Sequence, residues 1–83
     1  MADTTKLAAE ILEMVGGADN VTFVAHCMTR LRFNLKDESI VDDAKVKAID
    51  GVIDIRHSAG QYQVIVGPKV DKLMDVFIGQ FLY

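Results

Sequence analysis

The sequence is short of cysteine, proline and aromatic residues, and these shortages exclude several classes of protein. Its 83 residues include one cysteine, one proline and no tryptophan. A single cysteine cannot form an intramolecular disulfide, so we expect a fold held by packing in a reducing compartment. No apolar run approaches the roughly 20 residues that a membrane-spanning helix needs. The N-terminus lacks a signal-like segment, and we therefore expect a soluble domain.

Positive charge is also scarce. Nine lysines and arginines stand against twelve aspartates and glutamates, which gives a formal net charge of −3. Without a basic block, the sequence argues against a nucleic-acid partner. Hydrophobic residues make up 51% and charged residues 25%, a balance typical of an ordered domain. The length allows one two-layer core, so a single domain is expected over residues 1–83.

Apolar periodicity and turn residues predict three helices and four strands. The helices are expected at about 6–15, at 42–49 and from Pro68 to the C-terminus, and the strands at 20–26, 30–35, 52–57 and 61–66. In the second strand Leu31, Phe33 and Leu35 share one face, the pattern of an antiparallel sheet with one covered side. The strands come as two hairpins. The order α-β-β-α-β-β-α therefore predicts an α+β two-layer sandwich, with a four-stranded antiparallel sheet and three helices on one face.

The break between the first two predicted strands carries most of the reactive chemistry. Cys27 lies there, where backbone amides freed from the ladder can face an anion. Arg30 and Arg32 are two residues apart on the next strand, so both guanidinium groups are expected on one face near the cysteine. Such surroundings lower a thiol pKa and produce a nucleophile. His26 is a further candidate base or ligand, but one histidine and one cysteine are too few for a zinc site, and no metal is expected.

The string HCMTRLRF, residues 26–33, resembles the signature of a known family. That family is the IIB domain of the bacterial phosphoenolpyruvate-dependent sugar phosphotransferase system, glucose–sucrose type. The likeness is to the branch serving β-glucosides, sucrose, trehalose and N-acetylmuramic acid. It extends to segments on both sides of the motif: Gly16–Gly17 before Asn20–Val21, Leu35–Ser39, Gly51–Val52 and Gly60–Gly67. The resemblance runs from about Leu7 to Leu73.

The resemblance implies a single IIB-like phosphotransfer domain over residues 1–83. In the family, a cysteine takes phosphate from a phosphohistidine of the IIA component and passes it to sugar bound by the membrane-embedded IIC component. By position, Cys27 is that acceptor, and Arg30 and Arg32 are the site arginines. Met28 and Thr29 complete the expected phosphoryl-binding set, and no cofactor is implied. The domain is expected at the cytoplasmic face of the inner or plasma membrane, held there through IIC.

The two arginines are expected to contribute unequally to phosphoryl binding and to the thiol pKa. Because Arg30 is nearer to Cys27 along the chain, we expect it to be the principal phosphoryl clamp, while Arg32 either shares that role or meets the incoming partner. If the Arg32 guanidinium lies further from the sulfur, the Arg30 side chain should also lower the pKa of the thiol more than that of Arg32 does.

Two other functions remain open from the sequence. A small cysteine phosphatase also uses a thiolate and an arginine, but its loop separates them by more than the two residues between Cys27 and Arg30. That loop also leads into a helix, whereas a strand is predicted here. A non-catalytic regulatory α/β module would need an inert thiol, and a lone cysteine is more often a packing residue than a nucleophile.

Overall fold

The computed structural model describes residues 2–58 and 60–81, without the side chains of residues 2, 3, 80 and 81. Over these residues four strands form one antiparallel sheet in the order β1-β2-β4-β3. The strands are β1 Val21–His26, β2 Arg30–Leu35, β3 Asp54–Ser58 and β4 Gln61–Ile65. The helices are α1 Ala2–Met14, α2 Asp43–Lys47 and α3 Val70–Val76, which continues as a π-helical turn, Phe77–Phe81.

The main differences from the sequence prediction lie in α1, α2 and β3. Helix α1 begins at Ala2 instead of near Lys6. Helix α2 starts as expected, because the Asp42 carboxylate accepts hydrogen bonds from the N–H groups of the first turn, but it ends at Lys47. Strand β3 begins at Asp54, two residues later than predicted.

The core lies between the helices and one face of the sheet. The register pairs Leu31 with Val64 and Phe33 with Tyr62, which places these four side chains on the same face of the two central strands. All four are fully buried, and burial of each large apolar side chain contributes about 1.5–3 kcal/mol. Helix residues that are also fully buried complete the cluster: Ile11, Val46 and Leu73. The structure therefore confirms the predicted α+β sandwich with helices on one face of an antiparallel sheet.

The opposite face of the sheet is polar and uncovered. The strand registers place Ala25, Arg32, Gln63 and Arg56 in one row across all four strands. The neighbouring row on this face includes Arg30 and Cys27. These two residues are opposite each other, because the Cys27 N–H donates to the Arg30 carbonyl at 3.0 Å. The open face thus brings the thiol and the arginines to one end of the sheet. In the part of the chain described, no helix is long and apolar enough to cross a membrane.

Candidate functional site

The turn after β1 is tied to the end of β4 by main-chain hydrogen bonds. The carbonyl of Thr29 accepts from the N–H groups of Val66 and Gly67, both at 2.9 Å. Gly67 has φ +82°, a left-handed conformation that glycine adopts without the steric cost of a Cβ. These contacts fix the turn, and the N–H groups of Thr29 and Arg30 act on the side chain of Cys27.

The electrostatic surroundings of Cys27 favour its thiolate. Desolvation is the largest single influence, and it raises the pKa of the thiol. The N–H of Thr29, the guanidinium of Arg32 and the N–H of Arg30 stabilise negative charge on sulfur and outweigh the desolvation. The pKa of Cys27 therefore lies below its ordinary value, and the side chain is still partly exposed. An accessible thiolate is the nucleophilic form of cysteine.

The expectation that Arg30 tunes the thiol more than Arg32 is wrong. Of the two side chains, that of Arg32 carries the larger effect on the pKa of Cys27, through hydrogen bonding and charge, whereas Arg30 acts mainly through its backbone N–H. The Arg30 guanidinium points across the sheet to β4, where Nη1 donates to Oε1 of Gln63 at 2.8 Å. Proximity along the chain was misleading, because a flexible arginine side chain settles where it finds an acceptor.

Arg32 also has an unpaired hydrogen-bond donor among the described residues. Its Nε is buried, and no described residue accepts a hydrogen bond from it. Buried donors are nearly always paired, so this one is an exception among the described side chains.

The other predicted site residues occupy different positions around the turn. Met28 lies at its tip with 87% of its surface exposed. Thr29 is exposed and acts through its backbone. The His26 ring faces the helices instead of the thiol, since the register pairs it with core residue Leu31. Its Nδ1 lies 3.2 Å from the carbonyl oxygen of Cys27 and 3.5 Å from the carboxylate of Asp71.

A polar cluster that sequence reasoning missed surrounds His57, toward the opposite end of the sheet from Cys27. Nδ1 of His57 lies 3.1 Å from a carboxylate oxygen of Glu38, and Nε2 lies 2.9 Å from one of Asp43. These contacts raise the pKa of His57, and the hydrogen bond from His57 is the main cause of the lowered pKa of Asp43. The Tyr62 hydroxyl donates to the same aspartate at 3.0 Å. The partners are 14 and 19 residues away along the chain, so no local motif marks them.

Metal-binding geometry is not found in the part of the chain described. Among the side chains that the structure describes, no three or more from histidine, cysteine, aspartate or glutamate are arranged to hold a metal ion. The site geometry therefore consists of a thiol, backbone amides and guanidinium groups.

A comparison with protein families matches residues 9–42 to the family described as phosphotransferase system, EIIB. The matched segment runs from within α1 through the Cys27 turn and β2, so it includes both site arginines.

Two curated relatives match almost the whole chain. The β-glucoside-specific EIIBCA component of Halalkalibacterium halodurans is 47% identical over 78 residues, which are 92% of this chain and 12% of that protein. The sucrose-specific EIIBC component of Bacillus subtilis is 45% identical over 76 residues, 90% of this chain and 16% of that protein. The chain thus spans less than a fifth of the length of either relative.

A solved structure matches both the fold and the length. It is one domain of the IIabc component of the phosphotransferase system from Clostridium difficile. The two chains superpose with a TM-score of 0.88 at 35% sequence identity, covering 96% of this chain and 85% of that one. With this identity, coverage and agreement of fold, the chain belongs to the EIIB family of the phosphotransferase system.

Proposed function

We propose that this protein is a phosphoryl carrier of a sugar transport system, with Cys27 as the phosphorylated residue. It takes the phosphoryl group from a phosphohistidine of a IIA component and passes it to sugar bound by a membrane-embedded IIC component. The observation that carries the proposal is the environment of Cys27, where two backbone N–H groups and a guanidinium lower the thiol pKa. Membership of the EIIB family supports the same chemistry.

The first step is an in-line displacement at phosphorus. The Cys27 thiolate attacks, an S–P bond forms, and the P–N bond to the donor imidazole breaks with its electron pair returning to nitrogen. The N–H groups of Thr29 and Arg30 and the guanidinium of Arg32 hold the equatorial oxygens while charge moves. Because these donors already stabilise negative charge on sulfur, they need little rearrangement to stabilise it on the adjacent phosphoryl group.

In the second step sulfur is the leaving group and a sugar oxygen is the nucleophile. A sugar hydroxyl attacks phosphorus, the S–P bond breaks with its electron pair returning to sulfur, and the hydroxyl proton passes to a base on the acceptor side. The thiolate is thereby restored. Donor and acceptor must each bring their reacting atom to the same sulfur, so their contacts around Met28 are mutually exclusive.

The division of labour between the arginines follows from their resting contacts. Arg32 is the side chain that stabilises the thiolate, and its guanidinium is the first phosphoryl ligand. Arg30 is the second phosphoryl ligand and contacts the group as it is transferred to sulfur. Residues 1–83 act as one phosphotransfer unit at the cytoplasmic face of the membrane, next to IIC. The transported sugar is a β-glucoside, sucrose or a related compound, in keeping with the names of the two relatives.

The alternatives from the sequence fit this site less well. The Cys27 turn leads into strand β2 at Arg30, whereas a cysteine phosphatase loop leads into a helix. A regulatory module with an inert thiol has no use for a lowered pKa at an accessible cysteine.

Intact-mass measurement after incubation with a phosphorylated IIA component separates the three functions. A carrier gains one phosphoryl group that persists after the donor is removed. A phosphatase releases inorganic phosphate and returns to its original mass, and a regulatory module shows neither change. Absence of a stable adduct on the wild-type chain would overturn the proposal.

A further inference from the structure

Gln63 is a buried polar residue on the open face of the sheet, beside the proposed phosphoryl site. It lies on the central strand β4, opposite Arg32 in the register, and only 5% of its surface is exposed. A buried amide must satisfy its hydrogen bonds within the protein. Its Oε1 accepts from Nη1 of Arg30 at 2.8 Å, and its Nε2 donates to Oε1 of Gln61 at 3.3 Å.

This arrangement restrains the long side chain of Arg30. An exposed arginine samples many rotamers, and fixing it on an incoming ligand costs conformational entropy. Gln63 is itself fixed by burial between β2 and β3, so its oxygen is a stationary acceptor. Arg30 is therefore held on the open face, in the same row as Cys27.

The acceptor is neutral, and this matters for the chemistry. An amide oxygen anchors the guanidinium without cancelling its charge, so Arg30 keeps its full attraction for an anion. Arginine offers five N–H donors, and the bond to Gln63 occupies one of them. The remaining donors are free to contact a phosphoryl oxygen while the anchor stays in place.

We propose that Gln63 is a positioning residue for phosphoryl transfer, acting through Arg30. The inference rests on the proposed function, because it requires a phosphoryl group at Cys27. Gln63 does not touch sulfur in this role; it sets the place from which Arg30 meets the phosphoryl group.

The test is the initial rate of phosphoryl uptake from a phosphorylated IIA component, measured in two backgrounds. Gln63→Met removes the amide oxygen that accepts from Arg30. Gln63→Asn keeps a buried amide but moves its oxygen away from Arg30, because the side chain is one methylene shorter. With Arg30 present, each variant should slow uptake by about tenfold, the order expected for losing a hydrogen bond to a charged group. In the Arg30→Gln background, the same changes should have no further effect. Thr22→Val is the control and should stay within about twofold of wild type, because the exposed Thr22 side chain bonds to the Asn34 carbonyl and contacts neither Arg30 nor Gln63.

Two further readouts separate positioning from a general structural effect. The thiol pKa of Cys27 should not change in the Gln63 variants, because the Arg30 side chain is not its main determinant. Thermal unfolding identifies any variant that fails to fold, and Gln63→Asn then decides alone. Equal slowing with and without Arg30 would overturn the inference and leave the proposed function standing. A wild-type chain that takes up no phosphoryl group would overturn both.

Discussion

At the scale of single residues, the proposed chemistry depends on three hydrogen-bond donors that stabilise negative charge on the Cys27 sulfur. The N–H groups of Thr29 and Arg30 are fixed by the turn, which is anchored to β4 through the Thr29 carbonyl. The guanidinium of Arg32 adds a positive charge. Desolvation opposes all three. The thiolate is therefore favoured by positioned dipoles and one cation, a combination that a substitution of Arg32 removes only in part.

The thiol pKa provides a prediction at this scale. Arg32→Gln removes the cation beside sulfur, so the pKa of Cys27 should rise toward the ordinary thiol value of about 8.5. Arg30→Gln should raise it less, since that substitution preserves the backbone N–H. The pH dependence of the iodoacetamide reaction gives the thiol pKa of the wild type and of each of the two variants. A larger rise in Arg30→Gln than in Arg32→Gln would contradict the assignment.

At the scale of elements, the two hairpins could be predicted from the sequence, whereas the side-chain contacts between strands could not. The alternation of Leu31 and Phe33 in β2 marks the buried face, because a strand has a period of two residues. The Cys27 turn can also be predicted from local sequence, because it lies between two segments that each have a strand pattern. The bond from Arg30 to Gln63 joins residues 33 positions apart, and it depends on the pairing of β2 with β4, which no short pattern encodes.

The His57 cluster supplies a prediction about how β3 is held against α2. The pKa of His57 is raised by Asp43 and Glu38, so its contribution to the free energy of unfolding is complete below the unfolded pKa of about 6.5. That contribution is lost as pH rises through the higher folded pKa. The pKa of Asp43 is lowered, so its contribution is present above the unfolded carboxyl pKa and is lost as pH falls through the folded value.

Urea unfolding of wild type and His57→Gln across pH 5 to 8 measures this effect. The free-energy difference between the two proteins should be largest at the acidic end of the range and should shrink as pH rises. His26→Gln is the matched control, because it changes a histidine at the other end of the sheet. A difference that stays constant with pH would mean that the charge on His57 does not contribute to stability.

At the scale of the whole molecule, charge and exposure are distributed unevenly. The chain carries a net charge of −3, yet Arg30, Arg32 and Arg56 lie on the open face of one sheet. Met28 projects from the end of that face with 87% of its surface exposed. A partner that delivers a phosphoryl group to Cys27 must therefore approach an arginine-rich surface with an apolar tip.

Docking of the donor should consequently be confined to one end of the molecule. Transient interfaces of this kind bury on the order of 1,200 Å² or less in total. Amide chemical-shift changes on adding a IIA component should centre on residues 27–32. Changes centred on α1 or α3 would place the donor on the helical layer, where it cannot reach the thiol.

The central claim is that Cys27 alone carries the phosphoryl group, and one substitution tests it directly. Cys27→Ser keeps the size of the side chain but replaces the thiolate with a hydroxyl that stays protonated at neutral pH. Intact-mass measurement after incubation with phosphorylated IIA should then show no phosphoryl adduct, while His26→Gln and His57→Gln still gain one. An adduct on folded Cys27→Ser, located by peptide mapping to either histidine, would contradict the account.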